Sequence, residues 1–135
     1  MRLTGQSSRG AAAVKGNGAE LNRAVTNLVA NAIRHTEPGG TVDVQVGVAG
    51  ADGVAAGAGA RAEVAVRDEC GGIPDDDLAR VFDVGFRGEP ARTQESGGAG
   101  LGLAITRGIV EAHDGSVEVA NVAGGCVFTI RLPLA

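Results

Sequence analysis

Residues 62–74 read AEVAVRDECGGIP, in which an alternating apolar segment ends in an acidic residue, a thiol, two glycines and a proline. The alternation predicts a β-strand, because successive side chains of a strand point to opposite faces. The glycines and the proline predict a tight turn directly after it. The strand would bring Asp68 and Cys70 to its carboxyl end, where they would form a redox site, a structural turn or the floor of a pocket.

The chain before this strand predicts a helix and a first strand. Across residues 20–34 apolar side chains recur at spacings of three and four, as in an amphipathic helix, and TEPGG at 36–40 ends it. Four valines alternate along residues 41–48, and a Gly/Ala-rich loop follows at 49–60. The inward positions of the helix are Leu21, Val25, Leu28, Val29, Ala32 and Ile33.

The chain after this strand predicts two more helices and a hairpin. PDDDLARVF at 74–82 is typical of a short helix with acidic residues in its first turn, which explains the acid cluster without a metal. Residues 87–100 lack periodicity and predict a loop. A second amphipathic helix follows at 101–113, and strands at 116–122 and 126–134 close as a hairpin. The inward positions of that helix are Leu101, Ala104, Ile105, Ile109 and either Val110 or Ala112.

This order of elements predicts one α+β domain, a two-layer α/β sandwich with helices packed on one face of a mixed, mostly antiparallel sheet. A length of 135 residues fits one domain. Residues 1–15 are mostly small and polar, and we expect a leader there with room for one edge strand. The domain itself is expected over residues 16–135.

Composition excludes several classes of function. The net charge is −4 and only three aromatic residues are present, so neither a basic surface for nucleic acid nor a stacking platform for single strands is expected. No apolar stretch is typical of a signal peptide or a membrane span, which predicts a cytoplasmic protein without membrane contact of its own. Cys70 and Cys126 are too far apart in sequence for a close metal-ligand pair or a disulfide scaffold, so free thiols are expected.

A glycine-rich stretch, GGAGLGLAI at 97–105, opens the second long helix. Free N–H groups at a helix amino terminus bind phosphate, and glycines allow close approach. A flexible hinge would explain the same glycines. The stretch matches neither the dinucleotide fingerprint nor a P-loop.

Two asparagines, Asn27 and Asn31, lie four residues apart on one face of the first helix. Their amides would either form a buried structural network or offer oxygen atoms to a hard cation such as Mg2+. Arg34 and His35 follow within a turn and would place donor groups near a phosphate.

Four motifs in this order resemble those of the ATP-binding catalytic domain of bacterial sensor histidine kinases, part of the ATPase superfamily with DNA gyrase, the Hsp90 chaperones and MutL. NLVANAIRHT at 27–36 resembles the N box, DECGGIP at 68–74 the G1 box, VFDVGFRG at 81–88 the F box, and GGAGLGLAI at 97–105 the G2 box. The resemblance covers residues 16–135 and implies the Bergerat ATP-binding fold, with ATP and Mg2+ as its ligands.

The resemblance also implies roles for individual residues. Asn31 and Asn27 would be the Mg2+ ligands and, with Arg92, the catalytic group, while Asp68 would accept a hydrogen bond from the adenine amino group. Residues 87–99 would form a lid over the nucleotide. The remaining nucleotide-binding residues would be Arg34, His35, Gly72, Ile73, Gly98, Ala99, Gly100, Leu101, Gly102, Leu103 and Cys126.

Four positions depart from the family pattern: Cys70, Gly85, Ala99 and Cys126. If the glycine that Cys70 replaces has a positive φ, the cysteine costs about 1–2 kcal/mol. Cys126 stands where the family usually has threonine in the pocket, which would bring the two thiols near one another.

The implied function is transfer of the γ-phosphoryl group of Mg-ATP to a histidine on a separate dimerisation and phosphoacceptor domain, in the same parent chain or on another protein, with a response regulator as the indirect partner. His35 and His113 match ordinary positions of the ATP domain rather than the acceptor. An anti-sigma-factor serine kinase of the same fold and a degenerate, non-enzymatic interaction module remain alternatives.

Overall fold

A computed structural model describes residues 2–7, 14, 16–49, 61–78, 80–83 and 102–133. Within these residues the elements follow the predicted order, and the first strand lies at the sheet edge, within the segment where room for one edge strand was expected. They are β1 (Arg2–Ser7), α1 (Gly18–His35), β2 (Thr41–Ala49), β3 (Arg61–Asp68), α2 (Asp75–Leu78), α3 (Gly102–Ala112), β4 (Ser116–Val122) and β5 (Gly125–Pro133).

The five strands form one sheet in the order β1-β2-β3-β5-β4. β1 pairs with β2 in parallel, and the other three pairs are antiparallel. The long helices α1 and α3 pack on each other and on the sheet, around a core that includes Leu28, Val66 and Phe128. The predicted sandwich of helices on a mixed, mostly antiparallel sheet is confirmed.

Helix α1 begins at an asparagine cap and buries one face. The Asn17 side chain accepts a hydrogen bond from the Glu20 N–H at 3.0 Å, which satisfies a free donor of the first turn. Leu28 and Ala32 are buried as predicted, whereas Ile33 is 40% exposed. The prediction for Ile33 was wrong because this residue lies at the border of the apolar face.

Helix α3 packs against α1 through a threonine. Thr106 is fully buried and its hydroxyl donates a hydrogen bond to the Ala24 carbonyl at 3.1 Å. Val110 is buried while Ala112 is exposed, which decides between the two predicted inward positions. Thr106 was not predicted to face inward because its hydroxyl marks it as polar in a periodicity argument.

His113 holds the end of α3 against the start of α1. Its Nε2 accepts a hydrogen bond from the Asn17 N–H at 3.0 Å, and its Nδ1 lies 2.8 Å from the Ile109 carbonyl, to which it donates in the matching tautomer. Both ring nitrogens therefore have structural partners.

The helical segment after β3 is shorter than predicted. α2 is a single turn rather than a helix over 74–82, and Phe82 follows it to pack edge-to-face on Phe128, with ring centroids 6.0 Å apart.

The alternating valines of β2 are covered only in part. Val42 is buried, but Val46 and Val48 are 40% and 43% exposed, so the other described elements cover only the first half of this row of valines.

Candidate functional site

The carboxylate of Asp68 lies at the carboxyl end of β3, in the middle of the sheet. Asp68 is opposite Cys126 in the β3–β5 register and is only 1% exposed. Its Oδ1 accepts a hydrogen bond from the Cys70 N–H at 2.9 Å, and the Cys126 thiol lies 3.1 and 3.3 Å from the two carboxylate oxygens. A buried charged acceptor is therefore held in place by a backbone donor and a thiol.

The two thiols meet beside this carboxylate. Cys70 Sγ and Cys126 Sγ are 3.0 Å apart, and both cysteines are free. The prediction that the two thiols lie near one another is confirmed. The antiparallel pairing of β3 with β5 cancels their separation of 56 residues, so that separation does not exclude a metal-ligand pair as the sequence spacing had suggested. Burial raises the pKa of Cys70 and raises that of Cys126 far above its ordinary value, which keeps both thiols protonated and slow to react at neutral pH.

In the turn after Asp68 the positive φ angles fall on the two glycines and not on Cys70. Gly71 and Gly72 have φ values of +86° and +106°, in the left-handed region that glycine tolerates. Among the described residues the only non-glycine residue with positive φ is Asp114. The strain considered for Cys70 therefore does not arise, and its replacement of glycine carries no backbone cost of that kind.

Asn121 of β4 clamps the same turn, and the sequence analysis missed it. Its amide donates to the Ile73 carbonyl and accepts from the Ile73 N–H, both at 2.8 Å. An asparagine within an alternating strand is only a weak signal, since its role depends on β4 lying beside the turn. The two bonds fix the backbone of Ile73, one of the predicted adenine-contacting residues.

Gly125, at the start of β5, allows the hairpin to approach β3. A Cβ atom at this position would collide with the backbone carbonyl of Asp68. Only glycine therefore lets Cys126 lie directly against the Asp68 carboxylate.

A second group of predicted residues meets where α1 faces the beginning of α3. The Asn27 amide nitrogen donates to the Gly102 carbonyl at 3.3 Å, across 75 residues of sequence. Asn31 follows one turn later and is buried, and Leu103 packs against the core. No buried side-chain nitrogen or oxygen atom lacks a hydrogen-bond partner within the described ranges.

The carboxyl end of α1 is connected to the Asp68 segment. The Thr36 hydroxyl accepts a hydrogen bond from the Glu69 N–H at 3.1 Å, and the Glu69 carboxylate accepts one from the Thr41 N–H at 3.0 Å. Arg34 is exposed and His35 is half-buried in the last turn of α1. The helix that carries both asparagines is thus joined to the strand end that carries Asp68.

Several predicted site positions lie outside the described residues. They are Arg92, the lid at 87–99, and the phosphate-loop residues Gly98, Ala99, Gly100 and Leu101.

Comparison with known proteins identifies the family to which this fold and site belong. A family model described as histidine kinase-, DNA gyrase B- and HSP90-like ATPase matches residues 16–135, and the chain belongs to that family. Within it, the chain is an ATP-binding catalytic domain of the sensor histidine kinase type, as the four motifs predict.

The relatives are sensor kinases. The chain is 39% identical over 121 residues to the sensor-like histidine kinase SenX3 of Mycobacterium tuberculosis, covering 89% of this chain and 27% of the relative. It is 35% identical over 126 residues to the signal transduction histidine-protein kinase BaeS of Escherichia coli, covering 90% of this chain and 24% of BaeS. The chain thus spans about a quarter of the length of these relatives.

Solved structures agree in fold. The mycobacterial sensor histidine kinase MprB superposes with a TM-score of 0.74 at 31% identity, covering 98% of this chain and 82% of that one. Full-length ShkA in complex with AMPPNP superposes with a TM-score of 0.73 at 27% identity, covering 99% of this chain and 26% of that one. Among the described residues, no helix combines the length and apolar character needed to cross a bilayer.

Proposed function

We propose that this chain binds Mg-ATP and donates its γ-phosphoryl group to a histidine on a dimerisation and phosphoacceptor domain, in the same parent chain or on a separate protein. A response regulator would then receive the phosphoryl group in a two-component pathway. The observation that carries the proposal is the buried Asp68 carboxylate at the end of β3, beside the turn that Asn121 holds.

The sheet side of the site would bind adenine. Asp68 is a charged acceptor for the adenine amino group, and a hydrogen bond to a charged partner contributes about 1.5–3 kcal/mol. The backbone of Gly72 and Ile73 would line the base, and Cys126 would take the position of the family threonine. Because Cys126 and the Cys70 N–H already hold the carboxylate, little reorganisation would accompany binding.

The helix side of the site would bind the phosphates and the cation. The nitrogen of Asn27 donates to Gly102, so its amide oxygen is the atom suited to a hard cation, as is that of Asn31. Bound Mg2+ would neutralise charge on the β- and γ-phosphates. An amide at position 27 is not a general base, which favours transfer of the phosphoryl group over activation of water.

The remaining site residues would act from the segment between α2 and α3 and from the end of α1. Residues 87–99 would form the lid, Arg92 would approach the phosphates, and the amides of Gly98, Ala99, Gly100, Leu101, Gly102 and Leu103 would bind phosphate oxygens. Arg34 and His35 would add donors from α1. The catalytic domain would be residues 16–135, acting on the cytoplasmic side of a sensor and without direct nucleic-acid contact.

Calorimetry with AMPPNP tests nucleotide binding directly. We expect saturable binding with one site per chain in the presence of Mg2+, and weaker binding when the metal is chelated. A folded sample that shows no heat of binding up to millimolar nucleotide would contradict the proposal.

Phosphoryl transfer from labelled ATP tests whether the acceptor is a histidine. The chain would be mixed with a helical-hairpin domain that carries a phosphoacceptor histidine, and a variant of that domain with glutamine at the histidine would be the control. We expect an acid-labile, base-stable phosphoprotein from the native pair only. An acid-stable product would indicate a serine kinase instead.

A further inference from the structure

Three side chains with metal-binding atoms converge at the end of β3, and neither the motifs nor the proposed phosphoryl transfer uses them as a set. The Asp68 carboxylate and the Cys70 and Cys126 thiols lie with their ligand atoms within 4.8 Å of one another. They come from β3, the turn after it and β5, so the fold assembles them independently of their order in the sequence.

We propose that Asp68, Cys70 and Cys126 bind a soft divalent cation such as Zn2+, and that the bound cation excludes adenine from the pocket. The exclusion rests on the proposed function, since Asp68 is the expected adenine acceptor. The binding of the cation does not rest on it.

The donor set selects the class of metal. Two sulfur atoms and one carboxylate oxygen favour Zn2+ or Cd2+ over Mg2+, which prefers oxygen ligands alone. Three protein ligands also leave a fourth tetrahedral position for water. This site is therefore distinct in chemistry from the Mg2+ position expected at Asn27 and Asn31.

The distances require only small movements. The two sulfur atoms are 3.0 Å apart, whereas two sulfurs on one tetrahedral Zn2+ lie about 3.8 Å apart when each Zn–S bond is about 2.3 Å. Cys126 Sγ is 3.1 Å from the nearer Asp68 oxygen. Cys70 lies in the turn and is half-buried, so its sulfur can move outward by the difference between these two S–S distances. Its exposure also gives the cation a path of entry.

The backbone already supports a ligating sulfur. The Gly72 N–H donates to Cys70 Sγ at 3.3 Å, and such a bond stabilises negative charge on a sulfur ligand. The Cys70 N–H in turn orients the Asp68 carboxylate. When the cation binds, each thiol releases its proton to solvent, one per sulfur, and the cation takes the place of both protons.

The cation would remove the adenine acceptor. A carboxylate oxygen that ligates a divalent cation is a much poorer acceptor for an amino group, and the cation with its water would occupy space at the floor of the pocket. Nucleotide affinity should therefore fall at least about tenfold when the site is filled, corresponding to the lost charged hydrogen bond.

Co2+ tests the site without any nucleotide. The reduced chain, titrated with Co2+ under anaerobic conditions, should develop a thiolate-to-cobalt charge-transfer absorption that saturates at one equivalent and is bleached by Zn2+. The Cys70→Ser and Cys126→Thr variants should lose it, with circular dichroism confirming that each is folded. A folded native chain without this absorption would overturn the proposal, as would loss of both thiols to a disulfide without metal uptake.

Competition between Cd2+ and nucleotide tests whether the bound cation excludes adenine. The native chain is loaded with one equivalent of Cd2+, freed of excess metal by gel filtration and titrated with AMPPNP in excess Mg2+. The affinity should be at least about tenfold weaker than for the metal-free chain, and this ratio should return to one in Cys70→Ser. Equal affinities with and without Cd2+ in the native chain would overturn the exclusion of adenine. If the metal-free chain bound no nucleotide, the proposed function would fail while the cobalt result would still decide the metal site.

Discussion

The two halves of the site are built in different ways. On the sheet side, Asp68 and Cys126 are direct partners in an antiparallel ladder, so backbone hydrogen bonds determine their distance. On the helix side, α1 and α3 are joined by the side-chain bonds from Asn27 to Gly102 and from Thr106 to Ala24. The half proposed to bind the base is therefore set by strand register, whereas the half proposed to bind the phosphates depends on how two helices pack.

This difference predicts where the site is vulnerable. A change that alters the register or the approach of the strands should damage both stability and adenine binding. A change between the helices should cost less, because many other apolar contacts hold α1 and α3 to the sheet.

The largest effect is expected from Gly125→Ala. The added Cβ would collide with the Asp68 carbonyl, and we expect a loss of about 3 kcal/mol in the free energy of unfolding, measured by urea denaturation. Gly108→Ala in α3 is the control, because an added Cβ there meets no atom within 4 Å. It should gain about 0.5–1 kcal/mol from helix propensity. Similar stabilities for both variants would contradict the close approach of β5 to β3.

A smaller but specific effect is expected from Asp68→Asn. The amide lacks the charge of the carboxylate and presents only one acceptor oxygen, so the affinity for AMPPNP should fall about 10- to 100-fold in calorimetry. Asp76→Asn, in the exposed first turn of α2, should leave the affinity unchanged. Equal losses in the two variants would refute the assignment of Asp68 to adenine.

Thr106→Val tests the contact between the helices. Valine has nearly the shape of threonine but cannot donate to the Ala24 carbonyl, and we expect a loss of about 1 kcal/mol in the free energy of unfolding. Thr26→Val, at an exposed position of α1, is matched in chemistry and should change stability by less than about 0.5 kcal/mol. If Thr106→Val cost as much as Gly125→Ala, the contrast between the two halves would be lost.

The smallest effect is expected in the reaction of the thiols with iodoacetamide. Because burial raises the pKa of Cys70 and Cys126, the native chain should react slowly at pH 7 and its rate should still rise above pH 9, where an ordinary thiol levels off. The chain unfolded in urea is the control and should show the ordinary profile. Saturating AMPPNP with Mg2+ should slow labelling of at least one cysteine by severalfold, whereas unchanged rates would place the thiols outside the nucleotide pocket.

Much of the fold was predictable because it depends on local periodicity. The alternation in β3 and β5 and the three- and four-residue spacing in α1 each produced the right element with the right boundaries to within a few residues. The wrong predictions concern residues at the borders of helices or of their apolar faces. Ile33 lies where the apolar face of α1 ends, and α2 stops after one turn although its sequence would support a longer helix.

The site was predictable as a set of motifs but not as a set of contacts. Asp68 and Asn27 were predicted as site residues through the resemblance of four motifs to those of a known family, and the structure places Asp68 at the end of β3 and Asn27 within α1. Asn121, Thr106 and Gly125 were missed, since each acts on a residue distant in sequence. No local pattern distinguishes an asparagine that clamps a turn from one that faces solvent.

By itself the sequence determined the elements, their order and the position of an acidic residue at a strand end, because these follow from side-chain periodicity and local turn chemistry. The resemblance of its four motifs indicated the family. Only the tertiary structure decided that Gly71 and Gly72, and not Cys70, adopt positive φ angles, and it set the distance between the two sulfur atoms that the resemblance had only placed near one another. The physical reason is strand register: pairing of β3 with β5 turns a separation of 56 residues into a contact of 3.0 Å.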